Sequence, residues 1–182
     1  KMRDALTDIQ SHLLFFDVFW NKLDEKDASN LMSDPKLKDS LHLLQKMRVY
    51  APYTLTENEE KIMSIKSNTS DAAFSRLFDE LVNSIPFYLE INGQKQKKTE
   101  AEVLSFLHSP VREERKKASD SLAEGLKNNT HILTYIYNMI LADHRASMKI
   151  RNIKHPMDPM NLSNEIELKS VQNLVQSVKK AY

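Results

Sequence analysis

Six histidines, His12, His42, His108, His131, His144 and His155, are the side chains here best suited to hold a metal or move a proton near neutral pH. No two of them are four residues apart, and none is followed by glutamate. A hydrolytic zinc centre of the H-E-x-x-H type needs that spacing to aim two rings from one helical turn at one ion, so no such centre is encoded in this stretch. Asp39 and His42 are three apart and would share a helical face. A di-iron bundle site needs Glu-x-x-His on two helices, so this lone Asp-x-x-His is expected to be a capping or surface pair. The absence of cysteine removes thiolate ligands, cysteine nucleophiles and disulfides together, and fits a reducing cytoplasm. Nucleophile elbow, phosphate loop and dinucleotide fingerprint are all absent. No catalytic, cofactor-binding or metal-binding residue is therefore assigned.

Charge offers two further candidates. "SPVREERKKASDSLAEGL", residues 109–126, runs Arg112, Glu113, Glu114, Arg115, Lys116 and Lys117 without a break. Ser109 is a good helix N-cap, Pro110 a good first helical residue, and the two glutamates then face the positive end of the helix dipole. Glu113 is placed to pair with Lys117, and Val111, Ala118, Leu122 and Leu126 supply a buried side. The run reads as the solvated face of a helix, with a phosphate-binding patch as the competing reading. Lys95, Lys97 and Lys98, beside Phe87 and Tyr88, could stack and neutralise a nucleic acid, but edge protection of a strand explains the lysines as well. With 26 basic against 25 acidic residues, formal charge +1, nothing global points to nucleic acid or an anionic membrane, and neither is expected as a partner.

The elements that must position these residues are mostly helical, because two glycines in 182 residues argue against turn-rich β architecture. Met2, Leu6, Ile9, Leu13, Phe16, Trp20 and Leu23 alternate steps of four and three along one stripe, widened by Phe15 and Phe19. Asp34-Pro35 opens a second helix with Leu37, Leu41, Leu44 and Met47 buried, ended by Pro52. Thr56 with Glu59, and Thr99 with Glu102, are capping boxes for two more, and another helix starts near Ser70. Phe87, Leu89 and Ile91 alternate with Tyr88 and Glu90 before Asn92-Gly93, predicting one small exposed β-hairpin near residues 86–98.

Gly125, Asn128 and Asn129 mark a break in the long helical region that follows. The apolar segment Ile132 to Ala142 holds Thr134 and Asn138 and is about half the ~20 residues a membrane span needs, so it reads as a core helix. Pro156 and Pro159 interrupt helicity before a last amphipathic helix through Val171, Leu174, Val175 and Val178. Asn68, Asn128 and Asn161 begin glycosylation tripeptides that are read as accidental. The expected fold is a mainly α, bundle-like domain, divided into a helical region with the hairpin (1–108) and a long helical region (109–182) in one continuous unit.

Two blocks carry a resemblance: "TLTENEEKIMSIKSNTSDAAFSRLFDELVNSIPFYLEINGQ" and "EVLSFLHSPVREERKKASDSLAEGLKNNTHILTYIYNMILADHRASMKIRNIKHPMDPMNLSNEI". Their order, the hairpin between them and the later "SPxRxxRxxA" pattern resemble the N-terminal half of oligoendopeptidase F, a zinc peptidase of the thimet-oligopeptidase-like class. The resemblance implies a largely helical, clam-shaped enzyme that cleaves short peptides in a narrow channel. Its zinc would be held by H-E-x-x-H and a later glutamate beyond Tyr182, in a C-terminal catalytic domain that is the expected partner of this region. Residues 109–182 would lead toward that domain. The chain starts at Lys1 and stops at Tyr182 inside a helical pattern, so both ends are expected to be internal to the parent. Alone it would bind no zinc and cleave nothing. The competing class is a helical interaction or scaffold module without catalysis.

Overall fold

The computed structural model describes residues 2–91 and 93–182, with the side chains of residues 2–5, 7, 8 and 10 excepted. It bears out the mainly α reading with one two-stranded antiparallel sheet. The helices are α1 (Met2–Lys22), α2 (Glu25–Met32), α3 (Leu41–Arg48), α4 (Glu57–Ser67), α5 (Asp71–Ser84), α6 (Glu100–Phe106), α7 (Arg112–Asn128), α8 (Thr130–Ile150), α9 (Asp158–Ser163) and α10 (Leu168–Ala181). Strands β1 (Phe87–Ile91) and β2 (Gln94–Lys98) form the hairpin. Contacts group the chain into two units, residues 1–68 with 144–182, and residues 69–143, so the boundary at 143/144 falls inside α8.

In the first unit the core is Trp20, Ala28 and Leu44, with Leu23, Met32, Leu37 and Met47 packed against it. Trp20, 3% exposed, donates its indole N–H to the Leu44 carbonyl at 3.0 Å, which satisfies the one polar atom its burial would otherwise strand. The end of α1 is closed by Arg48, whose Nη1 donates to the carbonyls of Trp20 (2.9 Å) and Leu23 (2.8 Å). The Trp20 carbonyl also accepts a long bond from the Leu23 N–H (3.4 Å), and with these helix-end acceptors held the chain reverses into α2, capped by the Asp24 carboxylate accepting from the Lys26 N–H. Helix α2 was not foreseen. Nor was the division of the Pro35 helix into a 3-10 turn, Pro35–Ser40, followed by α3.

The expected α1 stripe is mostly not the buried one. Leu6, Ile9, Leu13, Phe15, Phe16 and Phe19 are exposed, and the Met2 side chain lies outside the described residues. Helix α1 packs on α3 and α4 and buries Val18 as well as Trp20, with Leu14 and Asn21 partly covered. Both capping boxes form as read: Thr56 and Thr99 accept from the N–H of Glu59 and Glu102, whose carboxylates reach back. Helix α8 ends in a Schellman motif at Asn152 (φ 56°), with Ile153 N–H bonded to Met148 O and Asn152 N–H to Lys149 O. Helix α9 ends the same way at Glu165 (φ 55°), through Ile166 N–H to Asn161 O and Glu165 N–H to Leu162 O. The expectation of a simple helix break at Pro156 and Pro159 is thus corrected, since Pro159 lies in the first turn of α9 where its missing N–H costs nothing.

The second unit is built on the hairpin. Ile85, Phe87, Leu89, Val103 and Ala118 form its core, with Leu122 and Leu126 of α7 packed alongside. The hairpin is buried on one face only: Phe87 and Leu89 of β1 point into this core, while Tyr88 and Glu90 of β1 and most of β2 are exposed. Phe87 pairs with Lys98 and Ile91 with Gln94; Asn92 lies outside the described residues, and Gly93 takes φ 76° as the turn demands. Ser121 of α7 accepts from the Tyr88 N–H at 3.1 Å, giving β1 a partner on its helix side.

Candidate functional site

The most complete constellation of polar groups lies in the first unit, where α1, α3, α4 and the segment after α8 surround a recess of about 460 Å³. Leu14, Val18, Met47, Ile153 and Leu162 give it apolar walls. Glu60 and Arg151 meet there in a two-pronged ion pair, Nη1 to Oε1 at 2.6 Å and Nη2 to Oε2 at 2.8 Å. Arg151 is delivered as the last residue before the Asn152 turn, so the Schellman motif aims it. Its Nη1 also donates to the Tyr53 carbonyl at 3.1 Å, and Glu60 Oε1 accepts from the Leu55 N–H at 3.0 Å. Both partners are thereby engaged at both prongs.

The electrostatics follow from that geometry. Burial pushes the Glu60 carboxyl upward, but the Arg151 hydrogen bonds, the Leu55 N–H and the Arg151 charge together hold it below its ordinary value. Arg151 is raised by the Glu60 hydrogen bond, against burial. Asp17, at the mouth, is raised by burial and then by the Glu60 charge, with no cation among the described residues relieving it. One turn on, Asn21 donates Nδ2 to Thr54 Oγ1 at 3.1 Å, while the Thr54 hydroxyl proton goes to the Tyr50 carbonyl at 3.0 Å. In this arrangement Asn21 Oδ1 is a buried acceptor without a donor.

A second groove of about 600 Å³ lies between α3 and the α9 to α10 connection. His42 and Lys46 both reach Glu165 there, at 3.0 and 2.7 Å, and Asn161 is buried with Nδ2 unpartnered. Asp39 lies in the 3-10 turn and His42 in the first turn of α3, where the His42 ring is bonded to Glu165. His144 Nε2 lies 3.1 Å from the Pro156 carbonyl. Among the described residues no group of three or more His, Asp or Glu is placed to hold a metal, so the residues present do not fit a zinc centre.

The charge run resolves into local contacts. The N-cap of α7 is Val111, itself half exposed, rather than Ser109; Pro110 is thus outside the helix. Ser109 Oγ instead accepts from the Val111 N–H and donates to Glu114, and Arg115 turns back to the carbonyls of Ser109 (2.8 Å) and Pro110 (3.0 Å). Lys117 approaches Glu90 of β1 at 3.9 Å, not the Glu113 expected. In the hairpin Lys98 pairs with Glu102 at 3.3 Å and Lys95 sits 4.8 Å over the Tyr88 ring, while Phe87 is in the core and unable to stack on a base. No described helix is long and apolar enough to cross a membrane. The Asp17, Asn21, Glu60 and Arg151 recess went unnoticed in the sequence, where its members are scattered and polar.

Residues 20–87 match the family model described as Oligopeptidase F. An oligoendopeptidase F homolog of Borreliella burgdorferi is 28% identical over 160 residues, covering 86% of this chain and 26% of that protein. The crystal structure of oligoendopeptidase-F from Enterococcus faecium shares the fold with TM-score 0.79 at 18% identity, over 96% of this chain and 34% of that one. A chain from Chlamydophila abortus does so with TM-score 0.77 at 23% identity, over 92% and 28%. This chain therefore spans between 26% and 34% of the length of these relatives.

Proposed function

We propose that this chain, whose residues 20–87 match the family model described as Oligopeptidase F, belongs to the oligoendopeptidase F family and is the non-catalytic N-terminal part of a zinc-dependent oligoendopeptidase acting on short peptides. In this reading it forms one wall of the substrate channel of a cytoplasmic enzyme. Residues 109–182 lead toward a C-terminal catalytic domain that supplies H-E-x-x-H and holds the zinc. The observation that carries the proposal is the 160-residue match to an oligoendopeptidase F homolog more than three times the matched length. Leu6, Ile9, Leu13 and Phe16, exposed at helical spacing on α1, support it as a surface another part of the same protein would cover.

Two measurements test this. Reading the parent gene beyond Tyr182 should give an H-E-x-x-H motif, and its absence refutes the peptidase reading. The 182-residue chain by itself should retain no stoichiometric zinc and cleave no peptide, whereas the parent should do both; hydrolysis by the chain alone would overturn the assignment of chemistry to the remainder.

A further inference from the structure

We propose that the outer edge of β2 is a docking site for an extended acidic segment of another protein, which joins the hairpin as a third strand. Every residue it uses lies in the second unit, so the proposal stands apart from the peptidase reading.

The backbone supplies the first argument. The sheet has two strands, and β2 pairs with β1 alone among the described residues. The Tyr88 N–H leaves the ladder to meet Ser121, so Tyr88 and Lys97, which lie opposite each other, are a non-hydrogen-bonded pair. Glu90 and Lys95, two residues along, are another. The N–H and C=O groups of Lys95 and Lys97 therefore point to the outer edge, where among the described residues they meet no partner. Four unpaired backbone groups in register are what an added strand pairs with.

Charge selects the occupant. The Lys95 and Lys97 side chains stand on the exposed face of the hairpin, with Tyr88 and Glu90. Lys95 lies 4.8 Å over the Tyr88 ring, and Lys117 approaches Glu90 at 3.9 Å. Lys97 is left exposed, with no ionic partner among the described residues. A strand with acidic side chains at alternate positions, directly opposite Lys95 and Lys97, meets the backbone groups and the charge together. A second copy of this chain fits badly, because two β2 edges brought together antiparallel would set Lys95 and Lys97 of one against those of the other. The lysines thus block self-pairing and leave the edge open to an acidic strand.

Titration of the 182-residue chain with a blocked heptapeptide alternating threonine and glutamate, followed by NMR, tests the site. The peptide should bind saturably at one site. At saturation, amide hydrogen exchange at Lys95 and Lys97 should slow about tenfold, while Gln96, whose N–H is already in the ladder, is unchanged. N-methylation of the glutamates, whose N–H groups would face β2, should abolish binding; N-methylation of the threonines, whose N–H groups would face away, should leave it intact. That contrast separates strand pairing from charge alone. A peptide alternating threonine and lysine should not bind. Lys97→Glu, at an exposed position with no ionic contact to lose, should weaken the glutamate peptide about tenfold without lowering the thermal midpoint. Failure of the glutamate peptide to bind, equal binding of its lysine or N-methylglutamate counterpart, or unchanged exchange at Lys95 and Lys97 would overturn the proposal. Binding by the chain but not by the parent would mean that the remainder of the parent already fills the edge, and would overturn the outside partner.

Discussion

A Cβ placed on Gly125 would lie 2.5 Å from Cε1 and 2.7 Å from Cδ1 of Phe87, so α7 approaches β1 as closely as it does only because residue 125 has no side chain. Gly125 sits inside α7 rather than at its end, and its backbone is unexceptional. The reason for glycine is therefore the neighbour. That close approach lets Ala118, Leu122 and Leu126 close over Phe87 and Leu89, and brings Ser121 within reach of the Tyr88 N–H.

Gly125→Ala should consequently destabilise the second unit. Alanine gains about 1 kcal/mol of helix propensity over glycine, but overpacking a closed core costs about 1–3 kcal/mol, and Phe87 is too enclosed to move aside. We expect a lower thermal midpoint by circular dichroism, partly recovered in the double variant Gly125→Ala, Phe87→Leu. An increase in stability on Gly125→Ala alone would contradict the geometry.

The sequence announced what short-range rules govern. Thr56 with Glu59 and Thr99 with Glu102 are decided within four residues, and the alternation from Phe87 to Ile91 within five, so these elements were legible. Gly125 was read as a break because its partner Phe87 is distant in sequence. The face of α1 was misjudged for a related reason. Its most apolar stripe is exposed, while the packed face includes the partly covered Asn21, whose Nδ2 donates to Thr54 33 residues away. Arg151 and Glu60 are 91 residues apart, and no local pattern joins residues 144–182 to the first 68.

Breaking that long-range pair should be costly from either side. The Glu60 and Arg151 side chains are only 12% and 26% exposed, and removing one partner strands the other's charge, at a cost of about 2–3 kcal/mol for a pair this covered. Glu60→Gln and Arg151→Met should each lower the urea midpoint by a comparable amount, with a combined effect well short of the sum. Additive losses would mean that the two residues are not coupled.

The two carboxyls of the recess should respond to pH with opposite signs. Glu60 is held below its ordinary value, so its contribution is complete above the ordinary carboxylate range and is lost as pH falls through its lowered folded value. Asp17 is raised, so its ionisation costs stability as pH rises through the interval between its ordinary and raised values. Measured by chemical denaturation from acidic to neutral pH, Glu60→Gln should flatten the acid limb. Asp17→Asn should leave that limb in place and be as stable as the unaltered chain, or more so, at neutral pH.

Arg48 offers the most direct optical test, because the chain's single tryptophan reports on it. Its Nη1 serves the Trp20 and Leu23 carbonyls, and Nη2 meets Glu25, which ties the end of α1 to the start of α2. Arg48→Met keeps much of the side-chain volume but removes the guanidinium donors, leaving the Trp20 carbonyl with the long Leu23 N–H bond (3.4 Å), at a cost of about 1–3 kcal/mol for part-buried acceptors. Arg48→Lys should recover part of the loss, since one ammonium cannot reproduce the spread of the guanidinium. Trp20 emission should shift to longer wavelength at lower urea in Arg48→Met than in Arg48→Lys, and lower in Arg48→Lys than in the unaltered chain; identical midpoints for all three would mean that the end of α1 is held by packing alone.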